Sequence, residues 1–470
     1  MATPRVHFEE YIYLAEVSDR SALFAWGGFF FFVSADHPTE GRDWKLVDDD
    51  QLRRVIPPRR TTIGARSEAY DRGRGSKVEV REAASNQLVA IGATAGLNHC
   101  WVSGLTPDTE YTYKVFVDDR EWGVEDHYNW AVEGGFQGMR KDGGSYENRF
   151  RTRPAADAPA RLTFAVIGDY GRGVHRASTE DSRQREVAAA LRRAVEAAGD
   201  DRVRLILTTG DNIYNHSAAD AGGSGREDDD WFFTFYQPYR YIINRVPVYP
   251  SCGNHDDGES ESSDDRAQLY DNFYVEQRFS GLQGLASISE GLFYRIRYGT
   301  NIEFICLDTS KGGLFGRRYF EKQTNETFLN AAFPLAPAGD AVWRIPFGHH
   351  PPFCAGPLHH SDKKVREKVV EAFCRRAGVR AFFSGHEHNF QHTRDGGMDF
   401  FVTGGGGELR LDTPDEFAEA RTDAWGPGGH FLLVKLDGSR MEVIAAGEAG
   451  PLPIEAPNGQ PVAPPFVVMR

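Results

Sequence analysis

The sequence has little cysteine, no long apolar run and no excess of positive charge, and each shortage removes a class of function. Its five cysteines (Cys100, Cys252, Cys306, Cys354 and Cys374) are widely spaced, odd in number and without a CxxC pair. That pattern fits reduced thiols better than a disulfide framework. The apolar run 29–33 is far too short to cross a bilayer, so no membrane segment is expected. A formal net charge of −14 argues against nucleic acid or an anionic membrane as the main partner, because both require a basic face. A local cationic site made by metal ions stays open. The first residues show no basic segment followed by a long apolar one, so no secretory signal is read and a cytoplasmic location is expected.

What is present is enough for sizeable cores: 40% of residues are apolar and 12% aromatic, in a chain of 470. That length exceeds one compact core, and two domains are expected, 1–155 and 160–470. Residues 1–155 read as mostly β, with alternating runs at 77–81 and 111–117 between Gly, Asp and Asn turns. Gly104-Leu105-Thr106-Pro107-Asp108-Thr109-Glu110-Tyr111-Thr112-Tyr113 resembles the E–F corner of fibronectin type III sandwiches, and Phe150-Arg151-Thr152 resembles a last strand. An unspecialised β domain is the alternative. The aromatic stretches 21–33 and 122–139 exceed a minimal sandwich. Core packing is the first expectation for 21–33, and a contact with a neighbouring domain or subunit is the alternative for both.

The stretch 154–160 is a linker by composition, and the pattern then changes. Leu162-Thr163-Phe164-Ala165-Val166-Ile167 is a continuous run of the kind expected for a strand covered on both faces. Further strands are expected at 203–207, 246–249, 302–307, 343–347, 379–383, 398–402 and 431–434. Helices are expected at 183–198 and 363–377, closed by Gly199 and Gly378. Alternation of strands and helices indicates a layered α/β domain. The polar insertions 215–230 and 258–265 read as surface loops.

Five short motifs follow buried runs directly: Gly168-Asp169-Tyr170-Gly171, Gly210-Asp211-Asn212-Ile213-Tyr214, Gly253-Asn254-His255-Asp256, Gly348-His349-His350 and Gly385-His386-Glu387-His388. Ligands gather beyond the C-terminal strand ends of layered α/β folds, so these loops can converge. A single Gly-Asp or Asn-His pair is ordinary turn chemistry. Five in succession, all offering oxygen or imidazole donors, point to a metal site. The Gly404–Gly407 run is expected to let a loop pass close to it.

This set resembles the metallophosphoesterase superfamily and, within it, the purple acid phosphatases, over about residues 160–445. The resemblance implies a four-layer αββα domain behind a fibronectin type III-like sandwich. It also implies a binuclear centre, with Asp169, Asp211, Tyr214 and His388 at one metal and Asp211, Asn254, His349 and His386 at the other. A bridging carboxylate such as Asp211 suits two cations about 3.5–4 Å apart, the spacing used for in-line phosphoryl displacement. A phenolate is a poor ligand for a divalent ion at neutral pH, because phenol titrates near about 10. Tyr214 therefore favours Fe(III) at the first metal; if it only packs as a buried aromatic, the chain is a general metallophosphoesterase. The second metal, with neutral Asn and imidazole ligands, suits Fe(II), Zn(II) or Mn(II).

The implied reaction is hydrolysis of small-molecule phosphate monoesters by metal-activated hydroxide, without a covalent phosphoenzyme. His255 is placed by sequence to hydrogen-bond a phosphoryl oxygen. His359 and His360 resemble a paired-histidine element of plant-type members, one residue out of register. Either could protonate the leaving group, with His360 preferred; exposed loop histidines are the alternative. Asp256 is expected to orient His255, while His175, His216 and His350 are expected at the surface or behind the ligands. Phosphodiesterase or phosphotriesterase chemistry on the same scaffold is the nearer rival. A non-enzymatic scaffold, which predicts a broken ligand set, is the distant one.

Overall fold

The long strands Arg5–Val17 and Ser21–Val33 pair antiparallel, with Ile12 opposite Trp26 and Leu14 opposite Phe24. The structure, a computed structural model, describes residues 5–33, 45–46, 75–133, 136–174, 178–214, 231–257, 265–279, 285–288, 290–312, 317–337 and 339–470. His175, His216, the insertion 215–230 and most of the insertion 258–265 lie outside the described residues. The chain divides into two compact units. The first is Met1–Ala155 with Gly173–Ala177 and Asn215–Pro247; the second is Ala156–Arg172, Ser178–Tyr214 and Val248–Arg470.

In the first unit, His99–Ser103 and Lys45–Leu46 also pair with Ser21–Val33. A second antiparallel sheet runs in the order Arg149–Arg151, Glu110–Val117, Ser76–Glu82, Leu88–Thr94. Alternate residues from both sheets share one core: Ile12, Leu14, Phe24 and Trp26 from one, Val78, Val80, Tyr113 and Val115 from the other. The two-residue period of a strand places them together.

The expectation of an uninterrupted domain over 160–470 differs from the structure at two segments that cluster with the first unit, Gly173–Ala177 and the longer Asn215–Pro247. After Tyr214 the chain leaves the second unit, contributes residues 231–247 to the first, and returns at Val248. Burial of aromatic rings is the reason. Phe232 packs on Phe29, Tyr236 on Tyr11, Phe235 on Tyr13 and Phe233 on Trp130. Part of the aromatic excess at 21–33 and 122–139 is thus a seat for this excursion, while Phe24, Trp26 and Trp122 belong to the sheet core.

The second unit is built on two sheets. One runs in the order Val248–Tyr249, Ile206–Thr208, Leu162–Ile167, His430–Asp437, Arg440–Gly447, Phe466–Met469; the first three are parallel and each later strand joins its neighbour antiparallel. The eight-stranded sheet carries Ile302–Cys306, Trp343–Phe347, Ala381–Ser384 and Met398–Thr403 as parallel neighbours. The faces of the sheets meet at Phe164, whose ring stands 5.0 Å from Phe304 and 6.2 Å from Phe383. Helix Gln184–Glu196 buries Val187, Leu191 and Val195, and the chain passes Gly199 at φ 64°. Helix Gln323–Ala332 and the helical run from Lys363 to Cys374 bury Phe328, Val369 and Cys374 with Ile305, Phe382 and Phe400 of the eight-stranded sheet. The second unit is therefore a layered α/β fold, preceded in the chain by a β-rich region. No helix among the described residues is long and apolar enough to cross a membrane.

Candidate metal centre

The five expected motifs lie beyond the C-terminal ends of five strands, three in one sheet and two in the other. These ends belong to Leu162–Ile167, Ile206–Thr208, Val248–Tyr249, Trp343–Phe347 and Ala381–Ser384. All are parallel to a neighbour, so their ends open on the same side. Three motif residues, Asp169, Asp211 and His386, have positive φ (56°, 49° and 74°). Non-glycine residues take this conformation at a cost, and such strain gathers at functional sites. Glycine precedes each motif because space is absent. A Cβ on Gly385 would run into Oδ2 of Asp169, and one on Gly210 would stand 2.7 Å from Nδ1 of His349. The run 404–407 passes tightly beneath, where added Cβ atoms would meet backbone of Glu387, Gly168 and Tyr170.

One group of ligand atoms forms around His349. Its Nδ1 donates to the Thr209 carbonyl at 2.8 Å, which leaves a lone pair on Nε2. That lone pair faces Oδ1 of Asn254 at 2.9 Å, Nδ1 of His386 at 3.0 Å and Oδ2 of Asp211 at 3.4 Å. A second group joins Asp169, His388 and Tyr214. The Tyr214 hydroxyl lies 3.3 Å from Oδ1 of Asp169 and 3.1 Å from Nε2 of His388, which is itself 3.5 Å from the same carboxylate. Asp211 also falls within this second cluster, so one carboxylate reaches both.

The donor set fits a pair of cations. Buried electron-pair donors converge on each other, and buried polar groups need a partner. Burial pushes the Asp169 carboxyl and the Tyr214 phenol well above their ordinary ranges and drives His349 and His386 well below theirs. A cation favours the ionised oxygens and neutral imidazoles that ligation needs. All seven expected ligands (Asp169, Asp211, Tyr214, Asn254, His349, His386 and His388) are brought together here.

Around them, His255 presents its ring 4.4 Å from Tyr214 and its Nε2 3.9 Å from Asp211. The expectation that Asp256 orients His255 is corrected. The Asp256 carboxylate accepts from the backbone of Gly253 and from backbone and side chain of Asn212, bracing the loops beneath the site. The preference for His360 over His359 is also corrected. His360 is turned outward to Asp415 at 3.0 Å, whereas His359 stacks on His386 with ring centroids 3.9 Å apart. A two-histidine loop can aim only one ring inward when its neighbours point to opposite sides. Burial lowers the His359 imidazole to about 4, against the opposing field of Glu387.

Of two further participants, the sequence placed His350 at the surface or behind the ligands and gave Glu387 no role. His350 is buried 4.5 Å from His386 and is held by Thr309, with Arg318 beside it. Glu387, between the two ligand histidines, is fully buried and paired with Arg410 at 2.8 Å. Only the oddity of a glutamate inside a Gly-His-x-His loop hinted at it.

Residues 162–390 match the family model for calcineurin-like phosphoesterase. Rabbit (Oryctolagus cuniculus) tartrate-resistant acid phosphatase type 5 is 26% identical over 322 residues, 63% of this chain and 90% of the relative. Purple acid phosphatase 17 of Arabidopsis thaliana is 24% identical over 271 residues, 54% of this chain and 70% of the relative. Among solved structures, purple acid phosphatase PPD1 from yellow lupin (Lupinus luteus) seeds superposes with a TM-score of 0.59 at 14% identity, over 98% of this chain and 75% of that one. PhoD superposes with a TM-score of 0.58 at 13% identity, over 95% of this chain and 88% of that one. At such identities the two structures show a shared fold.

Proposed function

We propose that this chain, a purple acid phosphatase-like metallophosphoesterase and a metal-dependent phosphoric ester hydrolase, cleaves small-molecule phosphate monoesters at an Fe(III)–M(II) centre. The observation that carries the reading is the position of Asp211, shared by two ligand groups of which only one contains a phenol. Asp169, Asp211, Tyr214 and His388 would hold the iron; Asp211, Asn254, His349 and His386 would hold Fe(II), Zn(II) or Mn(II). When bound, the pair supplies Lewis-acid charge for the phosphoryl oxygens and a water of lowered pKa for attack.

The chain's own residues do the rest. His255, partly exposed beside Asp211, donates a hydrogen bond to a phosphoryl oxygen as charge builds there. His359, stacked on His386, gives a proton to the leaving oxygen from its protonated form, which acid favours because burial lowers the imidazole to about 4. The same reading takes the second unit as a four-layer αββα domain and the first as a fibronectin type III-like sandwich. In support of the latter, the Tyr111 hydroxyl at the start of Glu110–Val117 accepts from the Thr106 amide at 2.8 Å, as at a tyrosine corner, beside a buried Leu105.

Asp211→Asn and His386→Ala test the reading on chromogenic monoester and diester substrates, with metal content measured in parallel. Both variants should lose bound metal and at least roughly 10²-fold in monoester hydrolysis. Full hydrolysis with unchanged metal would sink the centre, and a diester hydrolysed faster than the monoester would sink the substrate assignment.

A further inference from the structure

The loop that supplies His386 and His388 has a second face. Successive residues alternate, and Glu387, Asn389 and Gln391 turn away from the ligand atoms toward the segment 354–359. Gln391 accepts from the Ala355 amide at 2.8 Å and donates to the Gly356 carbonyl at 2.9 Å. Asn389 donates to that same carbonyl at 3.4 Å. Glu387 is different in kind, because it places a charge where its neighbours use neutral amides. One carboxylate oxygen accepts from the amides of His359 at 2.7 Å and Leu358 at 3.3 Å. The other accepts from Arg410 at 2.8 Å and from the His388 amide at 3.2 Å.

A carboxylate with no exposed surface is expensive to keep in a protein unless charge and hydrogen bonds compensate it. Neutral Gln or Asn would suffice merely to close the loop. Charge-assisted acceptors hold amides more tightly than neutral ones, and here the amides are those of His359, whose ring stacks on His386, and of the residue before it. We infer that Glu387 is a positioning residue for His359, tying the backbone of the proton donor to the strand end that carries the metal histidines. The inference rests on the reading of His359 as that donor.

The test compares Glu387→Ala, Glu387→Gln and His359→Ala on an alkyl phosphate and on 4-nitrophenyl phosphate. The alkoxide must be protonated as it leaves, and nitrophenolate leaves readily without help. Glu387→Ala and His359→Ala should each lose roughly 10²-fold on the alkyl ester and only a few-fold on the nitrophenyl ester, with bound metal unchanged. The double variant should lose no more than either single one. Glu387→Gln keeps the side-chain volume and should show the same selectivity if the alanine variant fails to fold. In the metal-free protein, histidine-labelled NMR should show the His359 ring protons losing the ring-current shift imposed by His386 in both Glu387 variants.

A His359→Ala variant without leaving-group selectivity would overturn the proton-donor reading and this inference with it. A selective His359→Ala, beside Glu387 variants that slow both esters equally or leave the ring shift intact, would overturn this inference alone.

Discussion

Glu9→Gln should destabilise the first unit by about 3 kcal/mol at neutral pH, and the loss should fade in acid. Glu9 is 1% exposed and holds Arg240, itself buried, at 2.7 Å. His127 at 3.1 Å, His7 at 2.9 Å and the Tyr128 amide at 3.1 Å complete its shell. Burial alone would raise this carboxyl. Arg240, with the hydrogen bonds from His127 and His7, overrides burial and holds it at about 2 in place of 4.5. At about 1.36 kcal/mol per pH unit that is worth about 3 kcal/mol, at the lower end of the roughly 3–5 kcal/mol seen on breaking a buried pair.

The sign follows from the folded group titrating below the unfolded one. The stabilisation is complete above pH 4.5 and is lost as pH falls through about 2. Urea denaturation at pH 7, 5 and 3 reads the gap between wild type and Glu9→Gln. It should stand near 3 kcal/mol at pH 7 and 5 and shrink to about 1.4 kcal/mol at pH 3. A gap below about 1 kcal/mol at pH 7, or one that does not change with pH, would show that the buried Glu9–Arg240 pair does not hold the unit together. Adding Arg240→Met should recover part of the loss, since no unpaired buried cation then remains.

Gly385→Ala should empty the centre, because its Cβ would occupy the place of an Asp169 oxygen; elemental analysis should show metal loss, and hydrolysis should fall by roughly 10²-fold or more. His360→Ala should retain hydrolysis within about threefold, as expected of an outward-facing side chain worth under ~0.7 kcal/mol, and a loss like that of His359→Ala would contradict the placement of the pair. All five cysteines are unpaired and buried. A thiol reagent should therefore label none in the native protein and five after denaturation, and rapid native labelling of Cys354 would show that the loop bearing His359 opens.

The convergence of the candidate donors was legible in the sequence because each motif follows a buried run. Strand ends such as Phe347 and Ser384 are fixed by local hydrophobicity, and the fold carries them to one side. Trp343–Phe347 matches its expected range, while the expected 203–207 strand forms only at Ile206–Thr208. The excursion 231–247 was not legible. Its aromatic rings look like any core, and only their partners Tyr11, Tyr13 and Phe29, some two hundred residues earlier, reveal which unit they join. The choice between His359 and His360 failed for a similar reason. Adjacent residues differ by which way the backbone turns, and that turn is set by Glu387, distant in sequence. Asp256 was misread because its partners, the amides of Gly253 and Asn212, belong to backbone that sequence does not display.

A binuclear site in which Tyr214 binds ferric iron is tested by metal content together with the visible spectrum of wild type and Tyr214→Phe. Two metal ions per chain are expected, at least one of them iron. A phenolate-to-iron absorption band should colour the wild type and vanish in the variant. A colourless wild type holding only manganese or zinc, or a band that survives Tyr214→Phe, would contradict ferric iron bound by Tyr214.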